Sequence, residues 1–391
     1  MTDLDYLPPR PSRLAADLKC TLKPHMEAKL PEPETPEAAL KGSLIHAIGE
    51  FYNRQAFEES TKNVGKHLHA ERLPESITSD PLFDETCIEL ADEAFEQTKP
   101  MLEKALESRG EVHFEKLLYM PADYAPAMQG SIDCLAVSND SLYIGDYKFG
   151  HVKVFAKDNP QLLAYALMAH AEYHLFYSFE TIKVAIIQPT LDHVDEWDIE
   201  SDHVLQWGKH VLAPKIKEII SKTGDFGVGE HCKYCRAAAV CTARAEHFTK
   251  MTQLDFVEPQ LLSNEQIAEI LIKIPLLKQW CDDLNRYALN EAINNGRKWH
   301  NLKLVQGNTK RKYKDESEVI DALKTQGYAD EDIFEQKLKN MTNMKKMLGV
   351  RKFGELVEPL LIKPEGKPQL VSIEDSRSEY SPSSAVLEDF K

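Results

Sequence analysis

No uninterrupted apolar run in this sequence reaches the roughly 20 residues that a membrane-spanning helix needs. The opening stretch, MTDLDYLPPRPSR, has neither the charged start nor the apolar core of a secretion signal. Positive charge is also scarce, with 47 Lys and Arg against 63 Asp and Glu and a net charge of −16. That balance excludes a surface that is basic throughout, of the kind that coats nucleic acid. It leaves room for a local basic groove, because steering follows the distribution of charge and not its sum. Seven cysteines in 391 residues, with no secretion signal, point to metal binding or plain burial rather than to a disulfide framework. The expectation is a cytoplasmic protein with no membrane partner. A hydrophobic content of 42% is enough for a real core, and the length allows two or three domains.

Periodicity divides the chain. Residues 1–35 are Pro-rich and irregular apart from a short helix around SRLAADLKC. EAALKGSLIHAIGEFYN repeats apolar residues at helical spacing and sets His46 and Glu50 on one face. DETCIELADEAFEQTKPMLEKALESRG continues as helix, is expected to break near Pro100, and ends at Gly110. The period then changes. EVHFEKLLYM, AMQGSIDCLAVS and SLYIGDYKFG read as strands, the last two joined by the short turn NDS. NPQLLAYALMAHAEY is a helix, TIKVAIIQP a strand and DHVLQWGKHVLAPKIKEIIS a helix. This order predicts an α/β fold, a mixed sheet with helices packed on it. Beyond residue 250 comes a long helical stretch with Ser263 as N-cap and Gln266 three residues on, which Pro275 is expected to kink or split. The predicted organisation is a core over 1–250, a mainly helical region over 251–365 and a disordered Ser- and acid-rich tail over 366–391.

Three groups of residues carry chemistry. In LYIGDYKFG, Asp146 and Lys148 stand two apart on a strand and so on one side of it. Alone, this reads as a surface ion pair of little worth. One strand earlier, Asp133 interrupts the apolar GSIDCLAV, and a tight turn can bring it close to Asp146. Two carboxylates so placed repel each other unless a divalent cation lies between them. Gln161 and Tyr165 share a helix face that could reach a phosphate, and His46 could supply an imidazole. In EHCKYCRAAAVC, Cys232, Cys235 and Cys241 offer three thiolates to a metal centre. The pattern suits zinc, with His231 as a fourth ligand, as well as it suits an iron–sulfur cluster. GRKWHNLKLVQGNTKRKYK collects cations in an acidic chain, with Trp299 and Tyr313 interleaved. Arg297, Lys298, Lys310, Arg311 and Lys312 are its candidates for DNA-backbone contacts.

Taken in order, GSLIHAIGEFY, GSIDCL, GDYKFG and PQLLAY resemble the PD-(D/E)xK nuclease superfamily, in the branch of RecB-type and AddB-type exonuclease domains and CRISPR-adaptation nucleases. The resemblance implies a restriction-endonuclease-like core and metal-dependent DNA exonuclease activity. It implies Mg²⁺ or Mn²⁺ held by His46, Asp133, Asp146 and the Tyr147 carbonyl, with Lys148 as catalytic lysine and Gln161 and Tyr165 as the motif that follows. In that branch an early cysteine joins a late triplet around a 4Fe–4S cluster. Cys20 stands at the corresponding position, although Thr21 follows it where the family often has Pro. The resemblance therefore favours iron–sulfur over zinc, with Cys20, Cys232, Cys235 and Cys241 as ligands and Cys87, Cys134 and Cys281 left as ordinary thiols. The C-terminal part, NMKKMLGVRKFGELVEPLLIKPEGKPQLV, resembles an uncharacterised phage protein family, which implies a phage or prophage origin. DNA ends, a phage single-strand annealing protein and further copies of the chain are the expected partners. The competing expectation is a catalytically silent DNA-binding or scaffold module of a recombination or packaging assembly.

Overall fold

The structure, a computed structural model, describes residues 5–58 except Pro33, 73–252 except Asp140, 264–305, and 314–362 except Gly327 and 335–336. The chain divides into two compact units, 1–255 and 256–391.

The first unit is built on a five-stranded mixed sheet whose spatial order follows the chain. Its strands are β1 (Glu111–Tyr119), β2 (Gln129–Val137), β3 (Ser141–Tyr147), β4 (Thr181–Gln188) and β5 (His193–Glu200). Short turns make β1–β2, β2–β3 and β4–β5 antiparallel. A helical crossover makes β3–β4 parallel. Helix α1 (Glu37–Glu58) and helix α2 (Glu85–Glu107) precede the sheet, and α3 (Pro160–Tyr173) is the crossover. Lys41 of α1 reaches the α2 N-cap, Asp84, at 2.6 Å, and Asp84 also accepts from the Thr86 N–H.

Strand alternation supplies two faces. Leu142, Ile144, Ile182, Val184 and Ile186 pack against Leu162, Leu163, Ala166 and Leu167 of α3. Tyr143, Tyr147, Ala185 and Ile187 turn the other way, onto Ala94, Phe95, Leu102 and Ala105 of α2. A third cluster, with Leu44, Ile45, Ile48 and Tyr52 against Cys87 and Ala91, fixes α1 on α2. Since α3 is buried nearly all round, it reads as a continuous apolar run rather than a stripe.

Three expectations are corrected here. α2 runs unbroken through Pro100: its buried face continues across the proline, and the Thr98 hydroxyl bonds the Ala94 and Phe95 carbonyls just before it. Pro275 does not split the long helix α4 (Asn264–Asn294) of the second unit. A fifth strand, β5, stands where none was expected, ahead of the helical run Ser201–Trp207, Gly208–Leu212 and Ala213–Ser221. Its sequence, HVDEWDIE, carries the acids of an exposed edge and so hides its alternation. The expected short helix around SRLAADLKC is present as a 3₁₀ turn, Pro11–Arg13, running into one α-helical turn, Leu14–Asp17. In the second unit, α4 is followed by an irregular stretch over 297–305 and then by short helices from Glu316–Thr325 to Val350–Leu356. Ser263 and residues 366–391 lie outside the described residues. No described helix is long and apolar enough to cross a membrane.

Candidate metal centre and cysteine site

β2 and β3 pair Cys134 with Gly145, so one register step further sets Asp133 beside Asp146. The Tyr147 N–H donates to Asp133 Oδ2 at 2.6 Å and fixes that carboxylate at the end of the ladder. From α1, His46 Nδ1 approaches Asp133 Oδ1 at 3.6 Å. The same nitrogen lies 3.8 Å from Glu115 Oε1 on β1, a residue that no sequence pattern had singled out. His46, Glu115 and Asp133 offer ligand atoms that all lie within 4.8 Å of one another.

Glu115 arrives there by a break in the strand. The β1–β2 ladder pairs Phe114 with Cys134 and Lys116 with Ile132, and omits Glu115 and Asp133 between them. Glu115 has φ +48, in the left-handed region. Such a conformation costs a non-glycine residue about 1–3 kcal/mol and is most often kept where it serves a site. On either side of the break the faces exchange. Phe114 and Cys134 face α2, whereas Leu118 and Ile132 face the α3 side. Ser131 Oγ holds the turned glutamate at Oε2, 2.7 Å away.

Lys148 Nζ lies 2.7 Å from Asp146 Oδ2, a buried oxygen that makes no other bond. Gln161 ties the two together, with its Nε2 donating to Asp146 Oδ1 at 2.9 Å and its Oε1 accepting from Lys148 Nζ at 3.2 Å. The same Nε2 also lies 3.2 Å from the Tyr165 hydroxyl. Gln161 is placed by Asn159, whose side chain caps α3 through the Gln161 N–H, with Pro160 as the first helical residue. Tyr165 can lie over β2 because position 130 is Gly. A Cβ there would stand 2.8 Å from the tyrosine ring.

The charges are strongly coupled. Burial, then the charges of Asp146 and Glu115, push Asp133 well above the usual carboxylate range, against the Tyr147 N–H and Lys148. Burial lowers His46 despite Glu115 and Asp146, so the imidazole is neutral at neutral pH. A hydrogen bond to the Tyr147 backbone places that peptide at the ring. Burial would lower Lys148 too, but Asp146 and then Asp133 outweigh it and leave the ammonium above its ordinary value. The Tyr147 side chain points the other way, into the α2 core, where its hydroxyl meets Thr98 at 3.1 Å.

The structure also brings Cys20 to Cys232, Cys235 and Cys241, around one small cavity that His231 and Lys23 help to line. All seven cysteines are free thiols. Close approach to the early segment is enforced at Gly227, where a Cβ would stand 1.9 Å from the Lys19 carbonyl oxygen. His25 Nε2 meets the Ile219 carbonyl at 2.6 Å, and the Arg236 N–H donates to Glu27 at 3.1 Å. The His231 Nε2 is 3.0 Å from the Gly227 carbonyl. Burial pushes Cys235 up to about 12 and raises Cys20 as well.

The basic stretch is described only in part. Arg297 stacks over Trp299 at 5.0 Å and bonds the Tyr287 hydroxyl, 3.0 Å away. Lys298 is exposed, and Lys310, Arg311, Lys312 and Tyr313 lie outside the described residues. Cys87 and Cys134 are buried, and Cys281 is exposed.

Fold and site together define an α/β protein with a cluster of acids, histidine and lysine at one end of a mixed sheet. The chain belongs to the family described as "Protein of unknown function (DUF2800)", whose model matches residues 12–378. It is also similar to a solved structure described as "Crystal structure of SSO0001", at 11% identity and a TM-score of 0.26, over 51% of this chain and 85% of that one. So low a score says nothing of what this chain does.

Proposed function

We propose that the protein is a metal-dependent deoxyribonuclease of the PD-(D/E)xK type, acting on DNA ends in the cytoplasm of a phage-infected or prophage-bearing cell. The observation that carries this reading is the convergence of Asp133, Asp146, Glu115, His46 and Lys148 on one end of the sheet. The carboxylate oxygens suit Mg²⁺ or Mn²⁺, and the neutral imidazole beside them favours Mn²⁺ of the two. The crowding of Asp133 by the Asp146 and Glu115 carboxylates is a repulsion that a bound cation would relieve. A bound cation would polarise a phosphoryl oxygen and acidify a water. Lys148, held cationic, opposes negative charge developing on the phosphate rather than removing a proton. Gln161 keeps Lys148 and Asp146 in register.

The four thiols are read as ligands of a 4Fe–4S cluster that staples the early segment to residues 232–241. The support for this reading is that the fold gathers all four thiols around one cavity.

The deciding experiment is incubation of end-labelled linear DNA with Mn²⁺. Wild type should release nucleotides and Lys148→Ala should release at least a hundredfold less. Equal release by both would end the hydrolase reading and leave the DNA-binding scaffold, a role in which a phage annealing protein or further copies of this chain would be the partners.

A further inference from the structure

The segment between Lys148 and Gln161 leaves the candidate site and returns to it, since those two side chains hydrogen-bond to each other at 3.2 Å. A surface loop with joined ends is a compact element that commonly carries function. This one is held from beneath. Gln188, fully buried, accepts from the Val154 N–H at 2.7 Å and donates to the Val152 carbonyl at 3.1 Å. Asp195 accepts from the Ala156 N–H at 2.6 Å, and His193 meets the Val154 carbonyl at 2.9 Å. Thr190 donates to the Gly150 carbonyl at 3.0 Å, and Asn159 to the Phe155 carbonyl at 3.1 Å.

What the loop presents outward is out of keeping with an acidic surface. Phe155 is 53% exposed although its ring meets His193 edge-on, and Lys153 lies 5.6 Å from the centre of the same ring. Lys153 and Lys157 are exposed, and neither is salt-bridged to a described residue. Solvent exposure of a large ring on a firmly anchored backbone gains the fold little. Beside two cations with no acid partner among the described residues, on a loop whose ends meet at the candidate site, it matches the way proteins hold unpaired nucleic acid: a base stacks on the ring and the cations neutralise phosphates.

We infer that the loop over 149–159 is a seat for single-stranded DNA, with Phe155 stacking on a base and Lys153 and Lys157 pairing with the backbone of the strand led to the site. The inference rests on the nuclease reading for its substrate but is tested without turnover. Binding of a short fluorescent oligo-dT, and of a blunt duplex of equal length, is measured on the full chain in EDTA. Phe155→Ala should weaken oligo-dT binding about tenfold, leave duplex binding nearly unchanged, and leave the melting temperature where it was. Phe155→Trp should restore binding. The double change Lys153→Ala, Lys157→Ala should lower the salt slope of binding by about 1.4, at ~0.7 for each single-strand phosphate. The seat is overturned if Phe155→Ala binds oligo-dT as wild type does, or loses duplex equally. Losses of binding in a protein that hydrolyses no DNA would leave the seat standing and sink the nuclease reading. Intact hydrolysis with unchanged oligo-dT binding by Phe155→Ala would do the reverse.

Discussion

At Asp133, burial and the neighbouring carboxylates of Asp146 and Glu115 favour the protonated acid, while the Tyr147 N–H favours the anion. Because its folded-state pKa lies above the unfolded one, the folded protein holds the proton more tightly. The contribution of this group to stability is therefore greatest below the ordinary carboxylate value and is lost as pH rises through the raised one. Burial of this acid among like charges therefore costs the metal-free protein stability at neutral pH. Asp133→Asn should consequently raise the melting temperature of the metal-free protein at neutral pH, by roughly 2–4 °C for each kcal/mol relieved. It should also flatten the pH dependence and abolish the upward shift that Mn²⁺ gives to wild type, all readable by thermal denaturation. Glu115 permits a complementary test. Glu115→Gly removes the strain of φ +48 and should keep or gain about 1 kcal/mol of stability. Manganese affinity, read by calorimetry, should nonetheless fall at least tenfold.

Most of this cluster was legible in the sequence. His46, Asp133, Asp146, Lys148, Gln161 and Tyr165 form an ordered series whose spacings matter more than any one member, and the fold assembles all six. Glu115 was not legible. A single glutamate within a strand looks like one more solvent-facing position, and only the left-handed turn of its backbone brings it round.

Among elements, the strongest dependence is between segments distant in the chain. Gly227 lies against the Lys19 carbonyl so closely that Gly227→Ala must push residues 19–20 away. That substitution should cost about 1–3 kcal/mol, as overpacking with a backbone shift does, and, if the four thiols hold the proposed iron–sulfur cluster, should lower the iron content of protein purified without oxygen, measured by elemental analysis. Retention of full iron with wild-type stability would show that the early segment needs no such contact. Element boundaries explain the remaining misreadings. Proline lacks the N–H of a helical hydrogen bond, yet α2 and α4 both carry one in mid-helix. β5 escaped because Asp195, Glu196, Asp198 and Glu200 mask the alternation of Trp197 and Ile199.

At the scale of the whole molecule, all the residues of the candidate metal centre and of the cysteine site belong to the first unit, together with the three apolar clusters that position them. A chain ending after Asp255 should therefore fold cooperatively and, on the proposed nuclease reading, hydrolyse oligo-dT with Mn²⁺ within about tenfold of the full protein. Loss of folding, seen as a flat denaturation curve, would mean that the second unit contributes to the core itself. The same truncation separates the two basic candidates, because Phe155, Lys153 and Lys157 remain in it while Arg297 and Lys298 do not.

The clasp between residues 19–27 and 219–241 sets an order of events during synthesis. Lys23 and His25, deeply buried in the finished protein, have to wait in water on the ribosome until the last of the sheet and the helical run behind it have emerged. The segment over 19–27 is thus among the last to lock, and a nascent chain stalled before the cysteine triplet would hold an assembled sheet with that segment still open to proteases.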